Sequence, residues 1–197
     1  MMNFWEKVFD SINGLAGQNS TLDSIMIFSS RKVPLILALM VVILYIVGVV
    51  KKNKNAREVA VNTVIFTILN MVLSAILAGI WFAPRPFVNN SSANLLYPHK
   101  PNSSFPSDHS LASMSIALGL NVYSKILGVI SICLSLLIGF SRVYVGHHYP
   151  EHVVISYVIV IITSILYNKF LRRKIKNLYF NIEKRTPILK DMVKDKK

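Results

Sequence analysis

The sequence predicts an all-α fold, a polytopic membrane bundle of about five to six helices. Three observations predict it. The chain is 53% hydrophobic and only 16% charged, with a mean hydropathy of +0.49, whereas a soluble domain is usually about 45–50% apolar and about 25% charged. The apolar residues are concentrated in long uncharged runs, and the Lys and Arg residues gather at the ends of those runs.

Five apolar runs are candidate membrane helices. Val33–Val50 and Val59–Ala83 contain no charged residue and approach or exceed the roughly 20 residues that cross a bilayer. Ile126–Phe140 and Val153–Tyr167 are shorter and reach that length with their flanks. Ser110–Tyr123 is only weakly hydrophobic and rich in small residues, which predicts a helix packed inside the bundle rather than against lipid.

These runs divide the chain into three parts. Residues 1–32 form short amphipathic stretches that we expect along the outer membrane interface. Residues 33–170 form one transmembrane domain, and residues 171–197 form a basic cytoplasmic tail that we expect to become a solvated extension after about Tyr179.

The net charge of +13 comes from residues at the ends of the runs. The clusters are Lys51–Arg57, Lys125, Arg172–Lys176 and the C-terminal tail. Cytoplasmic loops of membrane proteins carry this excess of Lys and Arg. The pattern predicts contact with membrane lipids, including anionic head groups, and no nucleic-acid partner. It also places Pro84–Asp108 and the segment around Gly146 outside the cytoplasm.

Three polar stretches therefore share the outer face. They are "APRPF" with Arg85, "SFPSDHS" with Ser107, Asp108 and His109, and "GFSRVYVGHHYPEH" with Arg142 and His148. An arginine near hydrocarbon costs at least about 2.5 kcal/mol unless it is paired or hydrated, so Arg142 marks a functional site. Two guanidinium groups suit phosphoryl oxygens, and the helix that opens near Asp108 offers backbone amides to the same anion.

The two histidines complete a metal-free phosphoryl-transfer site. One imidazole attacks phosphorus in line while the other protonates the departing oxygen. The arginines and amides stabilise the charge on the remaining oxygens. Because the sequence has no compact Asp/Glu cluster for Mg²⁺, it predicts neither a metal nor a cofactor.

The order R-P, then P-S-x-H, then S-R-x5-H resembles the type 2 phosphatidic acid phosphatase superfamily. Within it, "PRPF", "SFPSDH", "GFSR" and "GHHYP" resemble the bacitracin-resistance-type undecaprenyl-diphosphate phosphatases. The resemblance implies that His148 is the nucleophile that becomes phosphohistidine and that His109 is the acid. It implies a phosphate cradle of Arg85, Ser107, the backbone of Asp108, and Arg142.

The implied activity is hydrolysis of undecaprenyl diphosphate to undecaprenyl phosphate and phosphate at the outer face of the cell membrane. This reaction recycles the lipid carrier of wall synthesis and confers bacitracin resistance. Alternatives are a phosphatidylglycerophosphate or phosphatidic acid phosphatase, and a catalytically weakened protein that binds lipid head groups. A transporter or channel would place its polar residues near mid-membrane, unlike this chain. The sequence leaves the oligomeric state open.

Two positions depart from the superfamily pattern. Ala78 stands where the superfamily has a Lys, and His152 stands where it has the Asp that orients the nucleophile. Glu151 could orient His148 instead, because positions i+3 and i+4 share a helix face. The alternatives are His147 as nucleophile with Glu151 at i+4, orientation of His148 by His152 or by a backbone carbonyl, and loss of activity.

Two kinds of polar residue outside the motifs receive structural roles. Tyr97 fits an interfacial aromatic belt. Asn62 and Asn70, on either side of the middle of the second run, are expected to form interhelical hydrogen bonds.

Overall fold

The computed structural model describes residues 4–186, and these form helices and connecting segments only, which confirms the all-α prediction. The helices are α1 (Phe4–Asn13), α2 (Ser20–Arg31), α3 (Val33–Val50), α4 (Lys54–Ile80), α5 (Pro86–Asn89), α6 (Asp108–Tyr123), α7 (Lys125–Tyr144), α8 (Pro150–Phe170) and α9 (Arg172–Arg185). Residues 1–3 and 187–197, which include the ends of the predicted N-terminal segment and basic tail, lie outside the described residues.

Four helices of the described part, α3, α4, α7 and α8, are long and apolar enough to cross a membrane. The fifth candidate, α6, has 16 residues and lies inside the bundle against α4 and α7. It buries Leu111 and Ala117 completely, as predicted. Small residues allow this close packing: a Cβ atom at Gly119 would collide with the Thr63 side chain of α4.

Polar side chains join α4 to α8 within the bundle. The Tyr167 hydroxyl donates to Asn62 Oδ1 at 2.7 Å, and Thr163 Oγ1 donates to Asn70 Oδ1 at 2.8 Å. The interhelical hydrogen bonds expected of both asparagines are therefore present. They satisfy amide groups that would otherwise be unpaired among apolar side chains.

The N-terminal helices α1 and α2 pack against α7, and α1 also contacts α8. Asn13 donates to the Tyr144 carbonyl at 2.8 Å and accepts from the Asn94 amide at 2.7 Å. Phe9 and Ser30 are buried. The amphipathic N-terminal segment thus covers the end of the bundle where α7 finishes.

The opposite end is closed by ion pairs between α4 and α9. Arg57 is fully buried and donates through Nε and Nη2 to the two carboxylate oxygens of Glu183, at 3.1 and 3.0 Å. Glu58 pairs with Arg172 at 3.2 Å and Lys176 at 3.0 Å. The sequence predicted a solvated extension after about Tyr179, but the chain remains helical in α9 as far as Arg185. This part of α9 docks on the bundle because the buried Arg57 guanidinium group requires a partner charge, which Glu183 supplies.

Replacing Glu183 by Ala should destabilise the protein by about 3–5 kcal/mol, because Arg57 is left buried without its carboxylate. The measurement is reversible unfolding in detergent micelles. Lys184→Ala, an exposed change on the same helix turn, is the matched control and should leave stability unchanged within about 0.5 kcal/mol. Equal stability of the two variants would contradict the ion-pair role.

Candidate active site

Four chain segments meet at the end of the bundle covered by α1 and α2. They are the end of α4 with the loop that follows it, the start of α6, the end of α7 and the connection to α8. Gly146 makes the α7–α8 turn possible, since its φ is +83° and a Cβ atom there would lie 2.5 Å from the Asn94 carbonyl oxygen. The amides of His147 and His148 both donate to the Arg142 carbonyl, at 3.0 and 3.2 Å. The turn thereby fixes both imidazoles.

Arg85 is 3% exposed and uses its guanidinium group in four contacts. Nη1 donates to the His147 carbonyl at 2.9 Å and to His148 Nε2 at 3.0 Å. Nε donates to Asn102 Oδ1 and Nη2 to the Ser103 carbonyl, both at 3.0 Å. Burial, followed by the positive charge of Arg142, lowers the pKa of Arg85 to about 10, so the group remains a cation at neutral pH.

The contacts of His148 define its tautomer. Nδ1 lies 2.8 Å from the Ser104 carbonyl oxygen, which only accepts, and Nε2 lies 3.0 Å from Arg85 Nη1, which only donates. Nδ1 therefore carries the proton and Nε2 presents a lone pair toward the guanidinium group. Burial and the charges of Arg142 and Arg85 hold the pKa of His148 well below 6.5. The ring is therefore neutral at pH 7.

The neighbouring His147 has the opposite tautomer. Its Nε2 donates to the Tyr97 carbonyl at 3.0 Å, and its ring is fully buried against Tyr97 and His99, with centroids 4.3 and 4.5 Å away. Burial is the main cause that lowers its pKa to about 2. Its Nδ1 is buried without a hydrogen-bond partner among the described residues, whereas the His148 ring contacts the Arg85 guanidinium group.

Arg142 is 2% exposed, yet only part of its guanidinium group is satisfied. Nη1 donates to Ser30 Oγ at 3.0 Å and to the Tyr97 hydroxyl at 2.9 Å. Nε and Nη2 have no hydrogen-bond partner among the described residues. Tyr97, predicted to lie in an interfacial belt, contacts this cation instead. Buried donors without partners cost free energy, and an anion beside Arg142 would satisfy them.

The start of α6 supplies further donors. The Ser107 side chain makes no capping hydrogen bond. The Ser107 hydroxyl oxygen accepts from Ser110 Oγ at 2.9 Å, so the Ser107 hydroxyl can still donate its own proton to a ligand. The Ser107 backbone amide donates to Ser156 Oγ at 2.8 Å. The amides of Asp108 and His109 open the helix, where backbone N–H groups lack intrahelical acceptors. Ser107 is thus the N-cap residue of α6 by its backbone position, but its side chain does not cap the helix.

Asp108 and His109 are the first two residues of α6. Asp108 is exposed and its carboxylate accepts from the Ser74 hydroxyl of α4. His109 is half-buried and lies within electrostatic range of Arg142, Arg85 and His99. The structure therefore brings the predicted acid to the same charged cluster as the two arginines.

Glu151 is the residue predicted to orient His148. It is half-buried, and one of its carboxylate oxygens, Oε2, has no partner among the described residues. The Nδ1 atom of His148 is bound by the Ser104 carbonyl instead. The shared-face argument fails because α8 begins at Pro150, so His148 lies outside the helix to which i+3 spacing applies.

The sequence analysis assigned no role to Ser104, which is fully buried and contacts His148 through both its carbonyl and its hydroxyl. The signal was present in "SFPSDHS", whose first serine precedes the cradle residues. The atom of Ser104 closest to His148 Nδ1 is its backbone carbonyl oxygen. Every residue type has this oxygen, so the sequence could not single out Ser104.

Helices that cross a membrane and a buried, partly unsatisfied cluster of arginines and imidazoles define a membrane enzyme that acts on an anion. The chain belongs to the PAP2 superfamily, whose family model matches residues 59–176. This confirms the resemblance to the type 2 phosphatidic acid phosphatases, and the protein is a phosphatase of that superfamily.

Similar proteins agree with this assignment. The Undecaprenyl-diphosphatase BcrC of Bacillus subtilis is 34% identical, over 86% of this chain and 84% of the relative. The Bacitracin transport permease protein BcrC of Bacillus licheniformis is 29% identical, over 76% of this chain and 73% of the relative. The crystal structure of Aquifex aeolicus LpxE matches with a TM-score of 0.70 and 26% identity, over 83% of this chain and 94% of that chain.

Orthovanadate, an analogue of phosphate, should raise the thermal stability of the protein, because it satisfies the unpaired donors of Arg142. At 100 times the Kd the gain is about 2.7 kcal/mol. Arg142→Gln should weaken vanadate binding at least about tenfold, since a charge-assisted hydrogen bond is worth about 1.5–3 kcal/mol. Arg173→Gln, an exposed change on α9, is the control. Equal vanadate affinity in Arg142→Gln and the parent would refute the cradle.

Proposed function

We propose that this membrane-embedded lipid phosphatase hydrolyses undecaprenyl diphosphate to undecaprenyl phosphate and phosphate. The reaction would recycle the lipid carrier of wall synthesis and thereby confer bacitracin resistance. The observation that carries the proposal is the His148 ring, neutral and with its Nε2 lone pair beside the Arg85 guanidinium group. The 34% identical relative named for this substrate supports the choice of lipid.

The first step forms a phosphohistidine. His148 Nε2 attacks the terminal phosphorus while the bond from that phosphorus to the bridging oxygen breaks. Burial and the charges of Arg142 and Arg85 lower the pKa of His109 to about 3 before the substrate binds, so His109 takes up its proton when the anionic head group binds. It then gives that proton to the departing oxygen of undecaprenyl phosphate. Arg85, Arg142 and the donors at the start of α6 hold the other oxygens of the transferred group, where charge develops in the transition state.

The second step releases phosphate. Neutral His109 removes a proton from water as the water attacks phosphorus, and the bond between phosphorus and His148 Nε2 breaks. His109 is thereby protonated again for the next substrate. His109 is half-buried, which suits a group that must contact first the lipid leaving group and then water.

The distribution of charge supports an extracytoplasmic site. Most of the Lys and Arg residues in the described part of the chain lie on the turn between α3 and α4, at the start of α7 and on helix α9, at the end of the bundle opposite the site. Because Lys and Arg accumulate on cytoplasmic loops, the site end faces away from the cytoplasm. The multi-pass arrangement thus gives a lipid head group in the outer leaflet access to His109 and the cradle.

His148→Ala should lower phosphate release from undecaprenyl diphosphate by about a thousandfold or more, as loss of a nucleophile does in covalent catalysis, and should abolish an acid-quenched ³²P-labelled enzyme. His147→Ala removes an imidazole bound to the Tyr97 carbonyl and should retain the label. Label lost in His147→Ala and kept in His148→Ala would establish the alternative register. A parent no faster than His148→Ala would indicate a protein that only binds head groups.

The purified enzyme should release phosphate faster from undecaprenyl diphosphate than from phosphatidylglycerophosphate or phosphatidic acid. All three lipids present a terminal phosphate to the same cradle, so initial rates at matched surface concentration measure the preference directly. A clear preference for phosphatidylglycerophosphate would overturn the proposed substrate and leave the cradle and nucleophile intact.

Activity should survive EDTA within about twofold, because arginines and amides supply the charge stabilisation that Mg²⁺ supplies elsewhere. Residues 4–186 contain no group of three or more His, Cys, Asp or Glu side chains placed to hold a metal ion. The measurement is phosphate release before and after chelation. Complete loss in EDTA that Mg²⁺ restores would contradict the metal-free mechanism.

A further inference from the structure

Two neutral side chains stand next to the His148 ring on the side away from Arg85. Ser104 Oγ lies 3.4 Å from His148 Nδ1 and 2.9 Å from His152 Nδ1. The Ser104 carbonyl lies 2.8 Å from the same Nδ1 atom of His148. His152 occupies the position at which the family resemblance implies a carboxylate.

The hydrogen positions follow from the donors and acceptors. The Nδ1 proton of His148 points to Ser104, with the carbonyl as main acceptor and the hydroxyl oxygen as a second one. The Ser104 hydroxyl proton is then free to bind the Nδ1 lone pair of His152. The His152 ring is held between Phe105 and Tyr149, with centroids 5.6 and 5.8 Å away.

We propose that Ser104 and His152 act as a positioning pair for His148, in place of the single orienting carboxylate. His152 fixes the Ser104 hydroxyl, and Ser104 fixes the Nδ1–H tautomer that keeps the attacking lone pair on Nε2, beside Arg85. This inference rests on the proposed role of His148 as nucleophile and adds how its ring is held.

A neutral pair also suits the charges of this site. His152 lies within electrostatic range of Arg85. A carboxylate at position 152 would compete with phosphate for that guanidinium group, whereas a neutral imidazole does not. The pair therefore orients the nucleophile and leaves the cradle cationic.

The test measures kcat, KM and the rate of phosphoenzyme formation for variants of both residues. Ser104→Ala keeps the carbonyl contact and loses the hydroxyl, and His152→Leu loses the acceptor. Each should lower kcat and the phosphoenzyme rate about threefold to tenfold, the value of one hydrogen bond, with KM changed less than about twofold. His152→Asn is the conservative variant: its Oδ1 takes the place of Nδ1, and kcat should stay within about twofold of the parent.

His152→Gln is the matched control for His152→Asn. Its amide extends one methylene farther, toward the position of Nε2 rather than Nδ1, so it should resemble His152→Leu. The kcat of the double variant Ser104→Ala/His152→Leu should be no lower than that of the slower single variant, because the two residues act through each other. Vanadate-induced stabilisation, measured on every variant, verifies that the fold and cradle are retained.

Three results would overturn the positioning pair. They are parental kcat in both single variants, equal loss in His152→Asn and His152→Leu, and additive losses in the double variant. Failure of the proposed function is distinguishable, because it would show as label or activity that survives His148→Ala, whatever the positioning variants do.

Discussion

The site depends on two guanidinium groups buried at the same end of the bundle. Like charges repel, and desolvation in a low-dielectric environment makes each one costly. The protein stabilises the two guanidinium groups to different extents. Arg85 is surrounded by carbonyl and amide oxygens and a ring nitrogen, whereas Arg142 retains two donors without partners. These two donor atoms, which have no partner among the described residues, distinguish the site from a structural cluster in which every donor is satisfied.

The same two cations determine the chemistry of His148. An arginine that can only donate faces Nε2, and a carbonyl that can only accept faces Nδ1, so one tautomer is selected without any carboxylate. Burial and the neighbouring charges keep the ring neutral. His147, one residue earlier on the same turn, contacts a carbonyl through Nε2 and adopts the other tautomer. The groups around them thus give the two adjacent histidines different tautomers.

The membrane helices and the meeting of the two arginines at one end of the bundle were predictable because their signals are local. An uncharged run identifies a span, and an arginine inside an apolar helix identifies a site, as with Arg142. The orienting contact was not predictable. It joins His148 to a backbone oxygen 44 residues away, and its neighbourhood depends on where α8 begins. For the same reason the sequence did not reveal the docking of α9, which rests on the contact between Arg57 and Glu183, 126 residues apart.

Two buried arginines at opposite ends of this molecule show how a structural cation differs from a functional one. Arg57 is fully buried, and a carboxylate of the chain itself, Glu183, binds it through two hydrogen bonds. Arg142 is equally buried, but its protein partners are two neutral hydroxyl groups. A cation with a resident counter-ion completes the fold without a ligand. A cation whose partners are neutral and incomplete is electrostatically satisfied only when an anion binds, and the anion proposed for this position is the phosphate of the lipid substrate.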